Sequence, residues 1–275
     1  MQASSRWSPP GGTLGTIVDE AAERARTLLR DHGPRLAAAL RDAPRPPSLA
    51  AALRSDSIGV LAEVKRRSPS KGDIAPSLDP VEQASAYRDG GAAGVSILTE
   101  PRHFGGSAED LAAVRAAVRL PILKKDFHVE AIQLVEARVL GASAALLIAR
   151  AVHPDRLVAL VDEGRALGLE LLVEVRDEEE LETAIRAKAN MIGVNNRNLE
   201  TLVIDPATCD RLIPLIPPDV VAVAESGVQT RADVERYATI GADAVLVGSA
   251  LSASADPRQA TRAITGVSRR TRGRG

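Results

Sequence analysis

P-I-L-K-K-D-F, residues 121–127, runs from apolar positions straight into three consecutive charges. A buried lysine or aspartate is costly unless it pairs or takes part in chemistry. The run is short and flanked by helix-like sequence, which reads as a buried strand whose end opens on a polar site. The same pattern repeats outward along the chain. Before it come I-G-V-L-A-E-V-K (58–65) and G-V-S-I-L-T-E (94–100). After it come S-A-A-L-L-I-A (143–149), E-L-L-V-E-V (170–175), A-N-M-I-G-V-N (189–195), V-V-A-V-A-E-S (220–226) and A-V-L-V-G-S (244–249). The segments between them open on signals such as Asp79-Pro80 and Pro154-Asp155 and close on glycines such as Gly90 and Gly168, as helices do. Eight strand-like runs, each followed by a helix-like one, demand a parallel sheet with helices outside. Closed on itself, that pattern is a single (β/α)8 TIM barrel, α/β in class. A doubly wound open sheet is the rival, but it normally carries G-x-G-x-x-G after its first strand, and the sequence after Lys65 does not.

An extra N-terminal helical segment precedes the first run. From Thr13 to Leu40 the spacing predicts a helix with Ile17, Ala21, Ala25, Leu28 and Leu29 on one face, followed by the breaker A-P-R-P-P-S at 43–48. The expected organisation is an N-terminal helical extension packed on the barrel (1–48), a catalytic barrel (49–265) and a flexible Arg-rich tail (266–275). The tail holds Arg269, Arg270, Arg272 and Arg274 among Gly, Ser and Thr, the composition of a frayed terminus; a nucleic-acid arm is the alternative, with no aromatic residue to support it. A length of 275 residues suits one such barrel. Only 2% of residues are aromatic, so the core must be built from Ala, Val, Leu and Ile.

A net charge of −1 offers no general attraction to nucleic acid or anionic membrane. No apolar run approaches the length of a membrane span, and the start lacks the apolar core of a signal peptide. The lone Cys209 forms no intramolecular disulfide and reads as a buried thiol, which fits a reducing, cytoplasmic setting. His32, His103, His128 and His153 show no metal-ligand spacing, so no metal is expected.

In barrels of this kind the site lies at the C-terminal ends of the strands. Those ends carry Glu63 and Lys65, then Lys124, Lys125 and Asp126, then Glu174, then Asn195, Asn196 and Arg197, then Glu225 and Ser226. Any one of them could be a structural pair. Together they make a sheltered lysine–glutamate mouth in which each group shifts the others' pKa, as acid–base chemistry needs. Two glycine turns follow the last two runs: Ser226-Gly227 and Gly248-Ser249. Loops after strands seven and eight are a frequent phosphate site, because backbone N–H groups at a helix start face the anion. S-P-S-K-G (68–72) reads as an active-site loop with Ser68 and Lys71 at its tips. Phe104 and Phe127, the two phenylalanines, bear two readings: packing on an aromatic substrate, or anchoring their loops.

A-E-V-K-R-R-S-P-S-K-G (62–72), S-I-L-T-E-P-R-H-F-G-G-S (96–107), P-I-L-K-K-D-F, L-L-V-E-V (171–175), I-G-V-N-N-R-N-L (192–199), A-E-S-G-V (224–228) and V-L-V-G-S-A-L (245–251) carry a specific resemblance. From about Thr13 to Ile264 the chain resembles the indole-3-glycerol phosphate synthases of tryptophan biosynthesis, carboxy-lyases in which a similar N-terminal segment packs near the barrel mouth. The resemblance implies ring closure of 1-(2-carboxyphenylamino)-1-deoxyribulose 5-phosphate with loss of carbon dioxide and water. It implies Lys125 as the general acid and Glu174 as its partner at the aniline nitrogen, taking a proton. Lys65 would bind the leaving carboxylate or the phosphate and could share the acid's duty; the sequence leaves open which lysine serves which step. Glu63 would orient Lys65. Asn195 and Arg197 would position the anthranilate and sugar portions, with Ser68 also at the substrate. Glu225 and Ser226 would hold the ribulose chain. Ser226, Gly227, Gly248 and Ser249 would cradle the phosphate, and Phe104 and Phe127 would pack on the anthranilate ring. No cofactor and no nucleic-acid partner are implied, and a monomer or weak homodimer is expected. His128, Ala131 and Ile132 depart from the family's usual D-F-I-V-D-P-Y-Q, a change of packing in the third helix's first turn. A phosphosugar isomerase on the same barrel would use an aspartate or cysteine pair instead. A non-catalytic phosphoribosyl binder would lack the lysine or the glutamate.

Overall fold

The computed structural model describes residues 7–272. Its strands are β1 (Gly59–Val64), β2 (Gly94–Leu98), β3 (Ile122–Lys125), β4 (Ala144–Ile148), β5 (Glu170–Val175), β6 (Met191–Asn195), β7 (Val221–Glu225) and β8 (Ala244–Val247). They pair in parallel, each with the next, and β8 returns to β1 to close the barrel. Each of the apolar runs supplies one strand. Buried on both faces, these strands read as near-continuous Val, Leu, Ile and Ala. Helices return the chain outside the sheet, and their starts follow local chemistry. Asp79 accepts from the N–H groups of Val81 and Glu82 ahead of Pro80–Asp89, and Asp177 caps Glu178–Arg186 in the same way.

In-register partners share a face of the sheet. The register pairs Leu98 with Lys125, Ile148 with Glu174, and Asn195 with Glu225. All six line the cavity at the barrel mouth, so the inner face carries its charges at the strands' C-terminal ends.

The N-terminal helix, α1, spans Gly12–Asp42. Leu14, Ile17, Ala21 and Ala25 are buried along one stripe, and the helix packs on Ala131–Val139. Leu29 departs from the expected face and is 59% exposed. It lies one position beyond Leu28, about 100° further round the helix. Polar contacts fix α1 to the segments after β2 and β3: Arg24 reaches Asp126 at 2.9 Å and Glu100 at 3.5 Å, and Glu20 meets His103 at 2.9 Å. His128, one of the departures in the third helix's approach, is buried and hydrogen-bonds the Leu146 carbonyl through Nδ1. Burial holds its imidazole neutral, with a pKa pushed down to about 3.

The expectation of a flexible tail does not hold for residues 266–272. The amide of Ile58 donates to the Val267 carbonyl at 2.8 Å, and that of Arg269 to Asp56 at 3.0 Å, laying the tail along the lead-in to β1. Arg269 and Arg272 then clamp the buried Asp243, just before β8, at 2.7 and 2.9 Å. The Arg272 guanidinium also donates to the carbonyls of Gly241 and Val220. Arginine in a polar terminus looks solvated because its acceptors, a carboxylate and backbone carbonyls, come from distant turns. Arg274 lies outside the described residues.

Removing one partner of a buried ion pair strands the other charge and costs about 3–5 kcal/mol. Asp243→Ala is therefore expected to lose about 3 kcal/mol of stability in urea unfolding. Because Asp243 lies at the end of the barrel remote from the mouth, turnover under native conditions should be unchanged.

Candidate active site

A cavity of about 440 Å³ opens at the C-terminal ends of the strands. Of the polar and aromatic residues singled out from the sequence, Glu63, Lys65, Ser68, Lys71, Phe104, Lys125, Asp126, Phe127, Glu174, Asn195, Arg197, Glu225, Ser226, Gly227, Gly248 and Ser249 border it, whereas Asn196 turns away to the Tyr237 hydroxyl. Lys124 does not border it either. It turns outward and pairs with Glu136 at 2.6 Å, as strand alternation requires of the neighbour of an inward Lys125.

Lys125 Nζ stands at the centre, 3.4 Å from Glu174 Oε2 and 3.5 Å from Glu225 Oε2. Burial alone would disfavour the ammonium. The carboxylates of Glu225, Glu174 and Glu63 outweigh it and hold the Lys125 pKa above that of an ordinary lysine. Asn195 Nδ2 donates to Glu174 Oε1 at 2.8 Å, which fixes the plane of that carboxylate. Asn195 Oδ1 in turn accepts from the amide of Arg197 at 2.9 Å. The Arg197 guanidinium turns to the carbonyl of Leu202, tying down its own loop. Glu225 is buried, and burial pushes its pKa up to about 8 although Lys125 works against the shift.

Across the cavity, Lys65 Nζ is 3.1 Å from Glu63 Oε1 and lies over the Phe104 ring, 5.6 Å from its centre. Phe104 and Phe127 tilt toward each other with centroids 6.1 Å apart. Thr13, Leu14 and Ile17 of α1, with Leu199, Leu202 and Ile204 of the loop after β6, complete this apolar wall; the resemblance brings the N-terminal segment near the mouth but names none of these residues. An apolar helix stripe shows that a face is covered; it does not show what covers it.

The opposite rim is backbone. Ser226 and Gly227 take positive φ of 63° and 93° after β7. That turn is costly for the serine, and the surrounding structure must hold it. Gly248 precedes the short helix Ser249–Ser252, whose first N–H groups lack intrahelical acceptors. A Cβ at Gly248 would come within 2.5 Å of Glu63 Oε1, so the bare backbone lets rim and carboxylate approach. Backbone N–H groups at a helix start are the kind of donor that an anion calls for.

Away from the cavity, ligand atoms of Glu20, Glu100 and His103 lie within 4.8 Å of one another. Protein donors already occupy them: Glu100 accepts from the amides of Arg102, His103 and Phe104, and Glu20 from Arg102 and His103. Cys209 is buried, and its thiol donates to the Val194 carbonyl.

A closed parallel barrel with a lysine–carboxylate cluster beside a rim of backbone N–H groups has the form of an enzyme of the (β/α)8 class that works on a phosphorylated small molecule. The chain belongs to the indole-3-glycerol phosphate synthase family, whose profile matches residues 15–264. An indole-3-glycerol phosphate synthase of a Nocardioides species is 52% identical over 253 residues, covering 92% of this chain and 96% of its own. The corresponding protein of Mycolicibacterium gilvum is 48% identical over 246 residues, 90% of this chain and 89% of its own. Among solved structures, thiamine phosphate pyrophosphorylase from Pyrococcus furiosus superposes with a TM-score of 0.58 at 17% identity, covering 75% of this chain and 93% of its own. That likeness shows the barrel alone.

Glu225 binds its proton more tightly folded than unfolded, so stability should fall as pH rises from its ordinary value of 4.5 to about 8. Thermal melts across that window should show a shallower fall for Glu225→Gln than for the unaltered protein. An unchanged slope would remove Glu225 as its source.

Proposed function

We propose that the cavity closes the indole ring of 1-(2-carboxyphenylamino)-1-deoxyribulose 5-phosphate, giving indole-3-glycerol phosphate, carbon dioxide and water. The observation that carries the reading is the Lys125 ammonium, 3.4 and 3.5 Å from Glu174 and Glu225, facing a cavity rimmed by Ser226, Gly227, Gly248 and Ser249. The amides of that rim would take the phosphate. The anthranilate ring would enter between Phe104, Phe127 and the Leu14–Ile17 face of α1. Lys65, held by Glu63, would meet the carboxylate that leaves.

The chemistry follows from the charges. The ring carbon bearing the carboxylate attacks the ribulose ketone, and the new C–C bond puts negative charge on oxygen. An alkoxide in a sheltered site is costly, so the Lys125 ammonium donates a proton as it forms. Carbon dioxide departs, and its bonding electrons restore the aromatic ring. Dehydration then needs a second proton on the departing hydroxyl and the removal of one from the adjacent carbon. Glu174, oriented by Asn195, accepts that proton and balances positive charge on the aniline nitrogen during closure. At 3.4 Å from Lys125 it can also return the proton to the acid. One further proton comes from solvent in each cycle, matching the carboxylate charge lost as neutral gas. Ser68, Arg197, Glu225 and Ser226 position the sugar chain and the loops around it.

The proposal includes the organisation of the chain: residues 49–265 form the catalytic barrel, and the extension 1–48 lends it the α1 wall. Among the described residues no helix is long and apolar enough to cross a membrane. The reading extends to a cytoplasmic enzyme, monomeric or weakly dimeric, that binds no nucleic acid and draws its proton and phosphate donors from the protein.

Indole fluorescence, followed with purified protein and the anilino-deoxyribulose phosphate, tests the reading directly. Lys125→Ala should abolish turnover while product still binds, and normal turnover by that variant would refute the acid's assignment. Glu174→Gln should slow catalysis by about 10²–10⁴-fold, the usual effect of removing a positioned acid–base group.

A further inference from the structure

The inner face of β6 holds a gap that the proposed chemistry does not explain. Gly193 is buried in the middle of the strand, in register with Glu174 on β5. Partners share a face, so Gly193 looks into the barrel one layer below Asn195. A Cβ there would overlap Glu225 Oε1 and lie 3.1 Å from its carboxyl carbon. Backbone torsion does not require the glycine, whose φ is not positive. Glycine in a strand interior weakens the strand, and it commonly marks a close approach.

Glu225 ends β7 and pairs with Asn195, one layer above Gly193. Its side chain reaches down across the neighbouring strand into the space left by the missing Cβ. Oε1 fills that space, buried and without a hydrogen-bond partner among the described residues, while Oε2 stays 3.5 Å from Lys125. We propose that Gly193 is a positioning residue, whose lack of a side chain seats the Glu225 carboxyl beneath Asn195 and within reach of the Lys125 ammonium. The inference rests on the reading of Glu225 as a group of the reaction site. An alanine at this position must move something, and the atom in its way is the far end of a flexible side chain. The carboxyl therefore gives way and the barrel survives: Gly193→Ala folds, with Glu225 displaced toward the cavity that the substrate needs.

The test is a double-mutant cycle of Gly193→Ala and Glu225→Ala in the intact chain. It is read by single-turnover indole fluorescence with protein in excess over the anilino-deoxyribulose phosphate, which keeps slow variants measurable. Gly193→Ala alone should slow turnover at least about tenfold, since misplacement by about 1 Å commonly costs more than that. In the Glu225→Ala background the same change should cost less than about twofold, because its target is gone. An equal loss in both backgrounds, or no loss in the first, overturns the proposal. Full turnover by Glu225→Ala alone would instead remove the reading of Glu225 on which it rests. Should Gly193→Ala fail to fold, a double variant that folds supports the steric argument, and one that also fails defeats it.

Discussion

One ammonium holds the mouth of this barrel together. Lys125 lies among Glu63, Glu174 and Glu225, each projected inward from a different strand. Without the lysine, three buried carboxyl groups would face one another in a medium that solvates charge poorly. With it, two carboxylate oxygens come within 3.5 Å of one cation, and the strands that carry them are fixed in relative register. Closure of the barrel and assembly of the cluster are one constraint, because β3, β5 and β7 are not neighbours and meet only across the barrel's interior.

The same constraint governs charge. Lys65 and Lys125 face three glutamates, an arrangement that on paper repels an anion. Burial eases it by pushing the Glu225 pKa up to about 8, against the pull of Lys125. The arrangement at the opposite end of the barrel has the reverse sense. There Asp243 receives two guanidinium groups, Arg269 and Arg272, one on each carboxylate oxygen. A cluster saturated with partners suits a clamp. A cluster short of partners suits proton transfer.

The sequence made the strands and most of the mouth legible because both follow from one rule. A buried parallel strand is a short apolar run, and in a barrel its C-terminal end is where polar groups can be sheltered. Lys125, Glu174 and Glu225 each stand where such a run meets charge. Relations across the fold were not legible. Lys124 and Lys125 look equivalent in the chain, and only the strand's phase turns one to Glu136 and the other to the cavity. Nothing local announces that Leu14 and Ile17 complete the apolar wall, or that arginines in a polar tail reach turns more than 25 residues away. Gly193 is the sharpest case. Within M-I-G-V-N it reads as a weak point of a strand, and its place under Glu225 emerges only when β6 and β7 are set side by side.

Glycine at the mouth therefore serves two ends by one means. Gly248 has no Cβ where Glu63 Oε1 would stand 2.5 Å away, and Gly193 has none where Glu225 folds in. Both lie beside a carboxyl group that a larger residue would push toward the cavity. A glutamate reaching across a barrel needs length, and it also needs an absence on the strand it crosses. A lysine ringed by glutamates is thus only half of the design; the other half is the set of positions left bare so that those glutamates can lie flat against the wall. Exchanging Gly193 for a better strand former would strengthen β6 locally while moving the charge that its neighbour β7 places.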